Sequence, residues 1–234
     1  MSIAENIQLI RARIAAAAES CGRDPKEIIL VGASKMNDAA ACREAIAAGI
    51  DALGENRVQE MTAKIADNAY AGAPLYFIGH LQRNKVRQVV GKVDLIQSVG
   101  SLPLLHEIEK EAAKQDLVQD ILLEVNIGRE EAKSGFLEEE VFAAAEEAKN
   151  CPHVRLRGLM TVPPVEVEAH DSIPYFEKVR GLYVDISEKL YDNQFVYLSM
   201  GMSGDFEDAI RAGATMVRVG SSIFGARYYP EKQN

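Results

Sequence analysis

Short apolar runs alternate along this chain with longer stretches whose apolar residues recur every three or four positions. Apolar runs of about four to eight residues between turn formers read as buried strands, and the longer periodic stretches as amphipathic helices. The pattern predicts strands over Ile28–Ser34, Ala52–Gly54, Pro74–Gly79, Asp94–Val99, Asp120–Ile127, Val154–Met160, Phe195–Met200 and Thr215–Val219. Helices are predicted over Ile3–Ala18, from Asn37 or Asp38 to near Gly49, over Asn56–Asn68, around Asn84–Val90, and over Leu102–Lys114, Glu138–Lys149, Ser172–Leu190 and Asp205–Ala212. A last turn or helix is expected over Ser222–Tyr228. In the first helix Ile3, Ile7, Ile10 and Ile14 share a stripe, and Ser2 and Glu5 have capping-box spacing.

Strands and helices in alternation give parallel strands with helical crossovers. Eight such units in 234 residues predict a single-domain (β/α)8 TIM barrel over residues 1–234, preceded by an extra helix. An open doubly wound sheet is the alternative. It is disfavoured because no Gly-x-Gly-x-x-Gly turn follows the first strand. Polar and Gly-rich residues also gather just after strands, where barrels place their sites.

The net charge of −9 disfavours nucleic acid as a partner. The basic run Arg83, Lys85, Arg87, Lys92 reads as a solvated helix face. Cys21, Cys42 and Cys151 are far apart and have no metal-ligand spacing, which predicts a reducing compartment and no structural metal. Polar residues interrupt the first helix, so it is not expected to be a signal peptide, and no run reaches the length of a membrane span. A soluble, cytoplasmic protein is expected. With no surface stripe standing out, a monomer is expected too.

Three features carry chemistry. Ile29, Val31, Ala33 and Lys35 share one face of the first strand. If that face lines a closed interior, Lys35 stands at the mouth of an apolar cavity, where dehydration lowers its pKa and frees a nucleophile for an aldehyde. By itself Lys35 also fits an ordinary solvated lysine. Two Gly-rich turns, Gly201-Met202-Ser203-Gly204 and Gly220-Ser221-Ser222, follow the last two strands, where barrels often cradle a phosphate. Arg218 interrupts an otherwise buried strand, and its partner is either a core carboxylate or a ligand acceptor. Barrel closure makes the first and last strands neighbours, so amine, guanidinium and phosphate site converge. Together they describe a site for pyridoxal 5′-phosphate.

The chain resembles the pyridoxal-phosphate homeostasis proteins, also called proline synthetase co-transcribed homologues, which share the barrel of the alanine racemase N-terminal domain. The resemblance rests on Val31–Lys35, Gly54–Glu60, Phe77–Lys85, Lys133–Phe136, Arg157–Pro164, Leu198–Asp205 and Val217–Gly225, in family order over nearly the whole chain. It implies a covalent aldimine of pyridoxal phosphate on Lys35, with Ser203, Gly220 and Ser221 on the phosphate and Arg218 facing the pyridine nitrogen. Asn56 and His80, which follow the second and third strands, are expected to line the pocket, and Met200 is counted among the cofactor-binding residues as a packing rather than a reacting group. His80 is equally readable as a loop histidine with a local hydrogen bond. One departure follows the lysine, where Met36-Asn37-Asp38 replaces a stretch that usually carries a proline.

An arginine stays charged and opposes protonation of a ring nitrogen, which weakens the cofactor as an electron sink. Alanine racemases also take a second acid–base group from a separate C-terminal domain, and none is expected after the eighth strand here. The first reading is therefore a protein that binds, buffers and hands over pyridoxal phosphate without robust catalysis, with apo forms of enzymes that use it as partners, and so influences amino-acid and keto-acid pools. The alternative is a small racemase using Tyr76 or His80 as the other base. A third reading is a barrel acting on sugar phosphates.

Overall fold

The computed structural model describes residues 1–165, 168 and 170–225, without the side chain of Asn193. Eight strands pair in chain order and close on themselves: β1 (Ile29–Ala33), β2 (Ala52–Glu55), β3 (Leu75–Phe77), β4 (Leu95–Val99), β5 (Gln119–Val125), β6 (Val154–Thr161), β7 (Tyr197–Ser199) and β8 (Met216–Val219). Neighbouring strands run parallel, and the ring is sealed by β1 lying against β8. The closed barrel predicted from the alternation is what forms.

The pleat divides each strand between two cores. Val31, Ala52, Tyr76, Leu95, Leu122, Met160 and Met216 point inward and pack as an apolar plug, with Ile29, Ile78, Val162 and Tyr197 against it. Leu30, Leu53, Phe77, Ile96, Leu123 and Leu159 point outward, into the larger core shared with the helices. The inward positions beyond the plug turn polar, with Gln97, Ser199 and Arg218 all buried. The apolar inward positions form a floor, and the buried polar positions lie beyond it.

The helices are α1 (Ile3–Ser20), α2 (Ala39–Ala47), α3 (Val58–Ala66), α4 (Leu102–Lys114), α5 (Glu138–Ala148), α6 (Ile173–Ile186), α7 (Phe206–Arg211) and α8 (Ser221–Phe224). The capping box of α1 forms as expected, with the Ser2 hydroxyl accepting from Glu5 N–H and the Glu5 carboxylate accepting from Ser2 N–H. Ile7, Ile10 and Ile14 are buried, and Ile3 packs at the edge. This extra helix fastens the last two units of the barrel. Arg13 donates to both Glu207 oxygens at 3.0 and 2.8 Å and lies 4.6 Å over the Phe206 ring, and Asn6 Nδ2 donates to the Ile223 carbonyl at 2.8 Å.

Several boundaries differ from the expected ones. The segment around Asn84–Val90 is a 3-10 helix over Arg83–Gln88, and the helix expected from Asn56 starts at Val58. Asn56 stays in the loop because Gly79 presses against it; a Cβ at Gly79 would lie 2.2 Å from the Asn56 carbonyl. The long helix expected to reach Leu190 is α-helical to Ile186 and widens to a π-helical turn over Ser187–Tyr191. Asp38, of the two candidate caps, starts α2 by accepting from Ala41 N–H at 2.8 Å. The last helix is α8; Tyr228 lies outside the described residues.

Candidate functional site

Lys35 follows the end of β1 and is half-buried. Its backbone is clamped from both sides. Behind it, Ser34 is fully buried and donates to Glu55 Oε1 at 2.5 Å. Lys64 donates to the same oxygen at 2.6 Å and to the Ser34 carbonyl at 2.8 Å, and the Tyr70 hydroxyl adds a bond at 3.0 Å. Burial, followed by the Glu55 charge, pushes the Tyr70 phenol far above its ordinary range, so it remains a donor. In front, Met36 adopts a left-handed φ of 64° with its N–H on Glu60 Oε2 at 3.1 Å, and Asn37 Nδ2 donates to the Lys35 carbonyl at 3.1 Å. This departure from the family's proline stretch leaves the lysine anchored.

Arg218 is 4% exposed and pairs in register with Val31 across the β1–β8 seam. Its Nη1 donates to Ser199 Oγ at 2.6 Å and its Nη2 to the Thr161 carbonyl at 2.8 Å. Ser199 donates in turn to Gln97 Oε1 at 2.6 Å, and Gln97 Nε2 reaches Met216 Sδ at 3.0 Å. Among the described residues no carboxylate forms an ion pair with Arg218; Asp205 and Glu124 act on it only from a distance. Burial pushes the guanidinium pKa down to about 10, so it stays cationic at neutral pH. Of the two expected partners for Arg218, a core carboxylate is therefore not what the barrel supplies. Removing a charge from water costs several kcal/mol unless it is paired, so a buried guanidinium held by neutral oxygens alone is a candidate for a ligand contact.

The two Gly-rich turns meet. Gly220 N–H donates to Ser203 Oγ at 3.3 Å, joining the loop after β7 to the loop after β8. Gly201 has φ 91°, and a Cβ there would lie 2.6 Å from Ala209 Cβ, so only glycine lets this turn seat α7 so closely. Ser203 and Gly220 are half-buried and Ser221 is exposed at the start of α8. Met200, expected among the cofactor-binding residues, is fully buried in the outer core shared with the helices.

Asn56 and His80 lie together on the other side of the mouth, in a cleft of about 570 Å³ that also takes in Ile78, Glu124, Lys133 and Ser134. Burial raises the Glu124 carboxyl above its ordinary pKa, although Ser134, Arg218 and His80 oppose the shift. Tyr76, offered above as a possible base, is held in the plug, and burial pushes its phenol up to about 12. Sequence reading missed Glu55, Lys64 and Glu124. Glu124 had the signal that singled out Arg218: a charged residue inside an apolar run, Ile121-Leu122-Leu123-Glu124-Val125.

A closed parallel barrel with a lysine at the end of β1, a buried arginine on β8 and a glycine-serine cradle after β7 and β8 defines a class, and comparison with known proteins agrees. The family model of the alanine racemase N-terminal domain matches residues 2–228. The pyridoxal phosphate homeostasis protein of Aquifex aeolicus is 42% identical over 229 residues, covering 98% of this chain and 100% of the relative. That of Pseudomonas aeruginosa is 40% identical, covering 97% of each. Among solved structures, PipY of Synechococcus elongatus PCC7942 with PLP bound superposes with a TM-score of 0.83 at 31% identity, covering 96% of this chain and all of that one (100%). Alanine racemase of Clostridium difficile, at 18% identity and a TM-score of 0.69, shares the fold; this chain spans 58% of its length. The chain belongs to the alanine racemase N-terminal domain family, among its pyridoxal phosphate homeostasis proteins.

Proposed function

We propose that this protein binds pyridoxal 5′-phosphate and works in its homeostasis, holding and releasing the cofactor rather than turning over a substrate. The observation that carries the reading is the β1–β8 seam. It brings the strand of Lys35 beside Arg218 and beside the Gly220–Ser203 contact, so that an amine, a fixed cation and an anion cradle share one mouth. The buried guanidinium held by neutral oxygens fits a polar ring nitrogen as its remaining acceptor.

When bound, pyridoxal phosphate supplies an aldehyde that condenses with a lysine amine with loss of water, and a phosphate for the turns to hold. Lys35 is the amine. Its clamped backbone limits the reach of the side chain to the mouth. Arg218 presents N–H groups toward the ring nitrogen and, as a cation, opposes protonation there. Ser203, Gly220 and Ser221 offer hydroxyl and backbone donors to the phosphate. Asn56 and His80 form the facing wall, and Met200 packs behind the cradle.

The partners in this reading are pyridoxal phosphate and the apo forms of enzymes that depend on it, with the chain acting as a monomeric, single-domain cytoplasmic protein. Among the described residues no helix is long and apolar enough to cross a membrane. The test is transfer. Loaded protein mixed with an apo enzyme of this cofactor class restores that enzyme's activity faster than an equal amount of free cofactor in the presence of a scavenger. Equal rates would count against a carrier.

A further inference from the structure

The cofactor reading leaves one cleft without work. It measures about 390 Å³ and is lined by the start of the 3-10 helix Arg83–Gln88, the end of β4 and the start of α4. Gln97 points into the barrel, where it meets Ser199, so its neighbour Ser98 points outward and borders this cleft. Ser98 is 2% exposed, and its Oγ is buried with no hydrogen-bond partner among the described residues. A hydroxyl withdrawn from water without a partner costs free energy, and the cavity it borders is where a partner fits.

Further donors gather around it. Ser101 is the N-cap of α4, a helix of 13 residues, and its hydroxyl makes no capping bond. Pro103 has no N–H, and the Leu104 N–H turns back to the Ser101 carbonyl at 3.2 Å. The Leu102 N–H is left, like any first-turn donor, without an intrahelical acceptor at the positive end of the helix dipole. Arg83 lines the same cleft, is exposed, and enters no hydrogen bond or ion pair among the described residues. The turn into α4 is Val99-Gly100-Ser101, the same tripeptide as the Val219-Gly220-Ser221 turn of the cofactor cradle. A Cβ at Gly100 would lie 2.6 Å from the Gly135 nitrogen, so the loop after β5 closes tightly on this turn. Ser134, on that loop, is committed to Glu124 and is not counted among the donors. Hydroxyl, backbone and guanidinium donors around one cavity are the complement of an oxyanion.

We propose that this cleft is a second oxyanion site, separate from the cofactor cradle, taking a phosphate group on Ser98, Ser101, the N-terminus of α4 and Arg83. A cavity of this size holds more than the anion itself, which favours the phosphate of a small phosphomonoester over free phosphate. None of these four elements is assigned to the cofactor, so the site stands independently of that reading. The net charge of −9 works against diffuse attraction of anions, so binding here has to come from the local donors.

The test titrates the cofactor-loaded full chain, whose first cradle is filled, with glycerol 3-phosphate and with inorganic phosphate; glycerol is the uncharged control. Binding is followed by calorimetry and by phosphorus NMR line broadening. Saturable binding is expected, weakened about tenfold or more in Arg83→Gln, which removes a charge-assisted contact, and weakened in Ser98→Ala. Ser98 Oγ has no partner to lose, so Ser98→Ala is expected to melt no lower than wild type in phosphate-free buffer and to gain less on adding the ligand. Arg87→Gln, on the same 3-10 helix but outside the cleft, is expected to bind as wild type does. Tighter binding of glycerol 3-phosphate names an ester as the ligand, and equal or tighter binding of inorganic phosphate names the free ion; both support the site. No saturable binding to wild type, wild-type affinity in both Arg83→Gln and Ser98→Ala, a loss in Arg87→Gln as large as in Arg83→Gln, or equal binding of glycerol overturns it. The cofactor reading fails separately, through absence of the absorption band in wild-type protein; comparing Arg83→Gln with Arg87→Gln on cofactor-free chain then still decides the oxyanion site.

Discussion

Val31 and Arg218 are register partners across the seam that closes the barrel. Lys35 stands two residues beyond the end of the same first strand that carries Val31. A buried cation and the segment that carries an amine are thereby brought to one seam of the barrel, with the Gly220 turn at the end of β8. An open sheet with these elements would leave its first and last strands without this pairing.

The arginine is held by shape as much as by charge. Arg218→Lys keeps the charge but replaces the two-nitrogen fork on Ser199 Oγ and the Thr161 carbonyl with one nitrogen on a shorter side chain. A loss of about 1–3 kcal/mol is expected from the acceptors left unmatched, read by urea unfolding of cofactor-free protein. A shift in the absorption band of loaded protein should accompany it. Unfolding at the wild-type midpoint would show that the two bonds carry no weight.

The clamp behind Lys35 depends on one buried ion pair. Lys64→Met strands a fully buried Glu55 carboxylate, and breaking such a pair typically costs about 3–5 kcal/mol. The double variant Lys64→Met/Glu55→Leu should regain part of that stability but not cofactor affinity, since Ser34 loses its anchor. Chemical denaturation and equilibrium dialysis of the cofactor measure the two effects independently.

Glu124 has a pKa raised by burial, so its charged form is disfavoured in the folded state. The folded protein therefore holds that proton more tightly than the unfolded chain. The resulting penalty is absent below the unfolded carboxylate pKa and grows as pH rises through the folded one. Glu124→Gln is expected to be more stable than wild type at neutral and alkaline pH, with the gain fading in acid. Thermal melts across that range provide the check; a variant less stable at neutral pH would mean the carboxylate serves the fold.

Arg13 and Glu207 behave in the opposite sense. The Arg13 hydrogen bonds hold the Glu207 carboxyl below its ordinary pKa. Their contribution is present above the unfolded carboxylate pKa and is lost as pH falls through the folded one. Since both groups are about a third exposed, at 37% and 33%, Glu207→Gln should cost no more than about 1 kcal/mol at neutral pH and nothing in acid. Comparative melts at both pH values would reveal it.

The barrel was legible because eight apolar runs separated by amphipathic stretches leave few topologies open. Leu102–Lys114 matches to the residue because Ser101 and Pro103 mark its start and Leu104, Leu105, Ile108 and Ala112 fall on one buried face. Strand ends were overextended, as at Phe195–Met200, where the ladder covers Tyr197–Ser199 while Phe195 and Met200 stay buried outside it; hydropathy reports burial, not pairing. Lys35, Arg218 and the two glycine turns stood out because each violates its local pattern. The Glu55–Lys64 pair did not, since Lys64 looks like any helix-surface lysine until the fold turns it inward.

Borohydride reduction of the loaded protein, followed by peptide mapping with mass spectrometry, tests the lysine–cofactor bond most directly. The reduced cofactor is expected on the peptide containing Lys35, with the absorption band gone and no adduct in Lys35→Ala. A loaded protein that yields no adduct at Lys35, or carries it on another lysine, would contradict the site.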